Sequence, residues 1–290
     1  MFKDYNAKDS CYLDRWLQIA FAPGIEELTL KQLGYIEVIS CGTLKVIESN
    51  APNISSFYFI GDHRTSLSLG EMLQMKSLHL CFSGAVCYAR VTLPSTMPNL
   101  ETATIYSSSE MADTPMLHSR YLHLKNLSIA LSAATFPATY DYFSLVSFLD
   151  ACPSLKTLVL NISRITADME HVSIFTDPSD LRQMQDQHHD KIKSVKILGF
   201  NSAKSLVELT CHIVENIMSL ECLTLETNQS SLMCFVPEHK SKRCSPLPKG
   251  VLREAHQALL GIRTYIEPKV PSKVKLHIVE TCSRCYAVEL

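Results

Sequence analysis

The chain has 290 residues, 46% of them hydrophobic and 19% charged, with a formal net charge of -2. That is the composition of a folded chain with a sizeable core, and it excludes a disordered polymer. The near-neutral balance excludes bulk attraction to nucleic acid or an anionic membrane, and no run approaches the ~20 apolar residues of a membrane span.

The first nine residues are polar and mixed in charge, without the apolar core of a secretory signal, so a cytoplasmic or nuclear location is expected. Within residues 12–20, Leu13, Trp16, Leu17 and Ala20 fall at helical spacing, and Pro23-Gly24 ends that predicted helix. Ile25-Glu-Glu-Leu28-Thr-Leu30 then reads as the first of a series of strands. An apolar residue sits in the entering turn, and two more, two apart, share one face. Leu44–Glu48 reads as a short helix or irregular element. The strand signature returns at Pro52–Phe59, Met75–Leu80, Pro98–Ile105, Leu124–Ile129, Leu155–Leu160, Ile192–Ile197 and Leu220–Leu225.

The signature is clearest in Cys152-Pro-Ser-Leu-Lys-Thr-Leu-Val-Leu-Asn161, where a helical segment, Tyr142–Asp150, leads through a short turn into the strand. The anchors Leu28, Phe57, Leu78, Ala103, Leu127, Leu158, Val195 and Leu223 mostly recur at the ~20–29 residues of leucine-rich repeats. Longer steps leave room for insertions around 136–140 and 165–190. The predicted fold is an α/β leucine-rich repeat solenoid: a horseshoe with a parallel sheet on its concave face and helices and irregular segments on its convex face.

The strongest helix is Ser202–Met218, with Leu206, Leu209, Ile213 and Ile217 on one stripe, Ser202 and Ser205 as caps, and Ser205 with Glu208 as a capping box. Beyond Asn228 the composition changes. His239–Pro248 is a polar, basic loop with two prolines. Val251–Tyr265 is amphipathic, with Leu252, Ala255, Leu259 and Ile262 on one face, and Pro268 and Pro271 break it. Val274–Ile278 alternates as a terminal strand. The expected organisation is an N-terminal capping helix region over 1–24, repeats over 25–228, and a basic loop with a helix–strand cap over 229–290.

No catalytic motif accompanies the repeats: glycine-rich phosphate loops, a Gly-x-Ser-x-Gly elbow and an HExxH helix are all missing. Cys282-Ser-Arg-Cys285 is a CxxC pair, but tetrahedral zinc needs four ligands and Cys234, His239 and Cys244 match no standard spacing, so it reads as a polar tail with two unligated thiols. His188-His189-Asp190 reads as a solvated loop. Nine Lys/Arg against three Glu between Glu238 and Lys275 read as a solvated face, since aromatic residues are not interleaved. The eleven cysteines read as reduced thiols, and the sequons at Asn53, Asn126, Asn161 and Asn228 as chance matches. No metal, cofactor, nucleic-acid or membrane partner is predicted. The candidate surface is the row of middle residues in each Leu-x-Leu, which point away from the core: Thr29, Tyr58, His79, Thr104, Ser128, Val159, Lys196 and Thr224.

Tyr12-Leu-Asp-Arg-Trp-Leu-Gln-Ile-Ala20, the following Pro-Gly-Ile-Glu-Glu-Leu-Thr-Leu30, Phe148-Leu-Asp-Ala-Cys-Pro-Ser-Leu155 and His189-Asp-Lys-Ile-Lys-Ser-Val195 resemble the leucine-rich region of plant F-box/LRR proteins, especially the grass set. So do Ser202–Leu209 and Tyr265–Pro271. The resemblance covers nearly the whole chain from about residue 12. It implies a non-enzymatic module that presents a protein target to an SCF-type ubiquitin ligase, whose adaptor docks on an F-box. No Leu-Pro-x-x-Leu-x-x-x-Ile-Leu stretch of that kind occurs in this sequence. Adaptor docking is therefore expected only if an F-box lies upstream. The alternative is a stand-alone interaction or decoy protein that recruits no ligase.

Overall fold

The structure, a computed structural model, describes residues 17–18, 27–30, 35–39, 45–49, 53–61, 66–110, 120–132, 140–163, 171–177, 181–182, 189–227 and 247–280. Its strands are β1 (Leu17–Gln18), β2 (Glu27–Leu30), β3 (Tyr35–Ile39), β4 (Val46–Ser49), β5 (Ser56–Ile60), β6 (Ser66–Leu69), β7 (Ser77–Cys81), β8 (Thr102–Ser107), β9 (Asn126–Ser132), β10 (Thr157–Ser163), β11 (Ser194–Leu198), β12 (Cys222–Glu226) and β13 (Lys275–Val279). Its helices are α1 (Ala85–Val91), α2 (Leu93–Thr96), α3 (Val146–Ala151), α4 (Lys204–Asn216) and α5 (Lys249–Gly261). Ten strands form one parallel sheet in the order β1-β3-β5-β7-β8-β9-β10-β11-β12-β13, and β2-β4-β6 form a separate parallel sheet of three.

The register of the large sheet follows the apolar anchors. Ile36, Phe57, Leu78, Ala103, Leu127, Leu158, Val195, Leu223 and Leu276 are successive partners across nine strands. All but Leu276 are buried in one continuous core. The turns entering β5 and β7 to β13 each contribute a buried apolar residue as well: Ile54, Met75, Leu100, Leu124, Leu155, Ile192, Leu220 and Val274. The turns stack through their backbones. The N–H groups of Lys76 and Ser77 both donate to the Ser55 carbonyl, and those of Glu101 and Thr102 to that of Lys76. The pattern repeats on the carbonyls of Glu101, Lys125, Lys156 and Lys193. A turn carbonyl that would otherwise lie unpaired thus fixes the register of the next strand.

Several expectations need correcting. Leu28-Thr-Leu30 forms β2, in the three-stranded sheet, where Leu28 pairs with Ile47. The anchor before Phe57 is instead Ile36, in the unpredicted strand β3. Leu44–Glu48 is not a helix, because Val46–Ser49 is β4, and β6 was also unforeseen. Within the helix expected over 12–20, Leu17 and Gln18 are extended and pair with Ile36 and Glu37; the rest of that segment lies outside the described residues.

Helix α4 has the predicted stripe, with Leu206, Leu209, Ile213 and Ile217 all buried, yet not the predicted caps. Ala203 is its N-cap. The Ser205 hydroxyl accepts from the Tyr142 N–H, and the Glu208 carboxylate accepts from Arg182. Tertiary partners thus took the groups that a capping box would have used. In α5 and the π-helical turn Ile262–Ile266 after it, the most buried residues are Val251, Ala255, Ala258, Gly261, Ile262 and Ile266, with Leu252 and Leu259 half-buried.

On the helical side, polar side chains join one repeat to the next. The Glu110 carboxylate accepts from the N–H groups of Val86 (2.6 Å) and Cys87 (3.1 Å) at the start of α1. Its burial, only partly offset by Ser107 and these two amides, raises its pKa. Arg182 donates to both Asp141 oxygens (2.8 and 2.7 Å) and to Glu208 (2.7 Å), and its guanidinium lies 4.7 Å from the centre of the Phe143 ring. Gly199, at φ +68°, passes so close to the Ile162 carbonyl that any Cβ would collide with its oxygen.

Candidate binding surface on the outer face of the large sheet

Strand alternation sends the anchors inward, so the residues between them line the opposite face of the sheet. The register joins them into one row: Glu37, Tyr58, His79, Thr104, Ser128, Val159, Lys196, Thr224 and His277. In a leucine-rich repeat horseshoe this is the concave face. Seven of the eight residues singled out from the sequence therefore stand side by side. Thr29 does not belong with them, since its strand is in the other sheet. Glu37 and His277 extend the row in both directions, and Gln18 on β1, the register partner of Glu37, continues it. The alternation Tyr35-Ile36-Glu37-Val38-Ile39 was a readable signal for the first, and His277 sat in plain view within the predicted terminal strand.

The row changes character along its length. Tyr58 and His79 stack at 4.1 Å with their planes 13° apart. Partial burial lowers the pKa of His79, which keeps the imidazole neutral at neutral pH. Outward positions on β3, β5 and β8 carry Tyr35, Ile39, Ile60 and Tyr106, an aromatic and aliphatic cluster. The middle of the sheet offers a low floor of Thr104, Ser128, Ala130 and Val159. At the far end Lys196, Lys275 and His277 are exposed.

A second concavity, of about 360 Å³, opens where α3 meets the turns before β10 and β11, lined by Arg120, Asp150, Cys152, His189, Asp190 and Lys191 among others. The His189 Nε2 lies 3.5 Å from the Asp150 Oδ1. Burial pushes the Cys152 thiol pKa up, the reverse of what a nucleophilic thiolate requires. Among the described residues no group of three or more His, Cys, Asp or Glu is placed to hold a metal ion. Cys282, Cys285, Cys234, His239, Cys244 and His188 lie outside the described residues, as does most of the basic loop. No described helix is long and apolar enough to cross a membrane.

A repeated alternation of turn and parallel strand, stacked on a leucine-type core, defines a leucine-rich repeat protein. Such domains are typically interaction modules whose stacked repeats present an extended surface. Residues 28–283 match the At1g61320/AtMIF1 LRR domain, and the chain belongs to that family. No curated protein and no solved structure matches it significantly.

Proposed function

We propose that this protein is a non-enzymatic recognition module that holds a protein target on the outer face of its large sheet. The observation that carries this reading is the unbroken row from Glu37 to His277, nine side chains in register on one rigid support. A protein partner fits such a broad face, with an aromatic cluster at one end and polar positions beyond it. The resemblance to plant F-box/LRR proteins makes the module similar to the substrate-recognition part of an SCF-type ubiquitin ligase, working inside the cell. Other subunits would carry out any ubiquitin transfer. The second reading is a stand-alone interaction or decoy protein that recruits no ligase.

Affinity purification from the native cell, followed by mass spectrometry, tests both readings. Co-purification of a target that is lost when Tyr58, His79 and Lys196 are each replaced by Asp, with the melting temperature unchanged, is the expected result. A target that survives all three substitutions would move the site off this face. An SCF adaptor that binds this purified chain directly would count against the decoy reading.

A further inference from the structure

We propose that this face, near its N-terminal end, is a clamp for an arginine side chain of the protein partner, its guanidinium stacked on the Tyr58 ring and bonded edge-on to the Glu37 carboxylate. The inference rests on the reading of this face as the recognition surface and names the chemistry that it recognises.

Three observations support it. Tyr58 uses one π-face against His79, with the rings nearly parallel. The register puts Glu37 on the opposite side of Tyr58, so the second face of the ring is turned towards the strand that carries this carboxylate. Neighbouring strands stand roughly 4.8 Å apart, so a cation bonded to Glu37 comes within the ~6 Å reach of a cation–π contact with the Tyr58 ring. A planar guanidinium can stack on the ring while its forked N–H donors engage the carboxylate; a lysine ammonium supplies only a point charge.

The second observation is electrostatic. Among the outward positions of the described strands β3, β5, β7 and β8, Glu37 is the only formally charged side chain. The neighbouring His79 is neutral, so nothing on these positions repels a cation. At the other end Lys196 and Lys275 are exposed, which disfavours the same arginine there and gives the bound partner a direction.

The third is support around the clamp. Tyr35 hydrogen-bonds the Glu37 carboxylate; burial first, then that charge and hydrogen bond, raise the tyrosine pKa. Ile39, 45% exposed, is the register partner of the half-buried Ile60 beside the clamp. Together they offer apolar surface to the arginine methylenes and exclude water from the ion pair.

The test is to pan a random peptide display library against the full chain and measure the enriched peptides by calorimetry. Arginine should be enriched over the naive library. A selected peptide should lose about tenfold in affinity when its arginine becomes glutamine, as expected for a stacked, paired cation. Glu37→Gln and Tyr58→Ala should each weaken the parent peptide several-fold, whereas Tyr58→Phe keeps the ring and should retain most of the affinity. Combining Glu37→Gln with the arginine-free peptide should cost little more than either change alone, a readout that mere loss of fold would not produce. Peptides without arginine that are nevertheless lost on Tyr58→Asp would overturn the clamp and leave the recognition face standing. Peptides indifferent to Asp at Tyr58, His79 and Lys196 would overturn both. A library with no arginine enrichment also overturns the clamp.

Discussion

Between Leu17 and Leu69 the chain returns from each outer strand through another strand, whereas between Tyr140 and Val279 it returns largely through helices. Both regions feed one ten-stranded sheet, so the difference lies entirely on the back of the solenoid. In the strand return, β2, β4 and β6 pair with one another, so successive repeats are tied by backbone hydrogen bonds, with Ile47 and Leu69 buried beneath. A helix satisfies its own backbone internally. Repeats closed by helices are therefore joined across the back largely by side chains, with a short backbone bridge between Ser173 and Ala203. The bonds from Arg182 to Asp141 and Glu208, from the Ser202 N–H to Glu254 (2.7 Å) and from the Tyr142 N–H to Ser205 (3.2 Å) do this. The strand-closed region should then tolerate polar surface changes and suffer from apolar deletions. The helix-closed region should suffer from both.

The largest effects come from the shared core. Leu158→Ala removes an anchor that is 3% exposed and should cost ~2–5 kcal/mol, because its partners Leu127 and Val195 cannot collapse around the gap. Ile47→Ala in the small sheet should fall in the lower part of that range. Urea unfolding of the two variants reads this directly, and wild-type midpoints in either would show its register to be wrong.

Arg182→Ala comes next, at roughly 3 kcal/mol, since it leaves the Glu208 carboxylate, 1% exposed, without its cation. Adding Glu208→Leu should recover part of the loss. If the double variant proves no more stable than the single one, the bridge is not what joins these repeats.

Acid should act more gently, on the turn ladder and on the helix-closed back. The hydrogen bonds of Lys125, then of Lys76, bring the Glu101 pKa down to about 2. Burial pushes the Asp141 pKa up, and Arg182 more than offsets it, so it too lies below the usual carboxylate value. Both groups bind protons more weakly folded than unfolded, so their stabilisation is complete above the unfolded pKa of about 4 and fades as pH falls through the folded values. Glu110, raised by burial, has the opposite sign and favours the folded state on protonation. Urea midpoints should therefore fall between about pH 4 and pH 2, and Glu101→Gln should make that fall shallower.

The smallest effect is expected on the exposed turn ladder. Lys193 pairs with Glu221 at 2.7 Å, but both side chains are more than half exposed. Lys193→Ala should change stability by no more than about 0.5 kcal/mol. A loss above ~1 kcal/mol would mean that side chains also carry the turn stacking here attributed to the backbone.

The sequence by itself determined the repeat, the spacing of its strands, the register from Phe57 to Leu223 and most of the outward row. Those features depend only on alternation within a strand and on an apolar turn residue before it, both local and periodic. Tertiary structure alone decided which sheet the early strands would join. Leu28-Thr-Leu30 and Ile36-Glu-Val38 carry the same alternation, and a strand on the back of a solenoid buries one face just as a strand on the front does, so no local signal separates them. The same holds for Ser205 and Glu208. Their spacing suits a helix cap, but Tyr142 and Arg182, distant in sequence, offered partners inside a buried interface, where an unpaired polar group is costly. The pairing of Glu37 with Tyr58 depended on that same choice of sheet, because only the strand that joined the front could bring a carboxylate beside the ring.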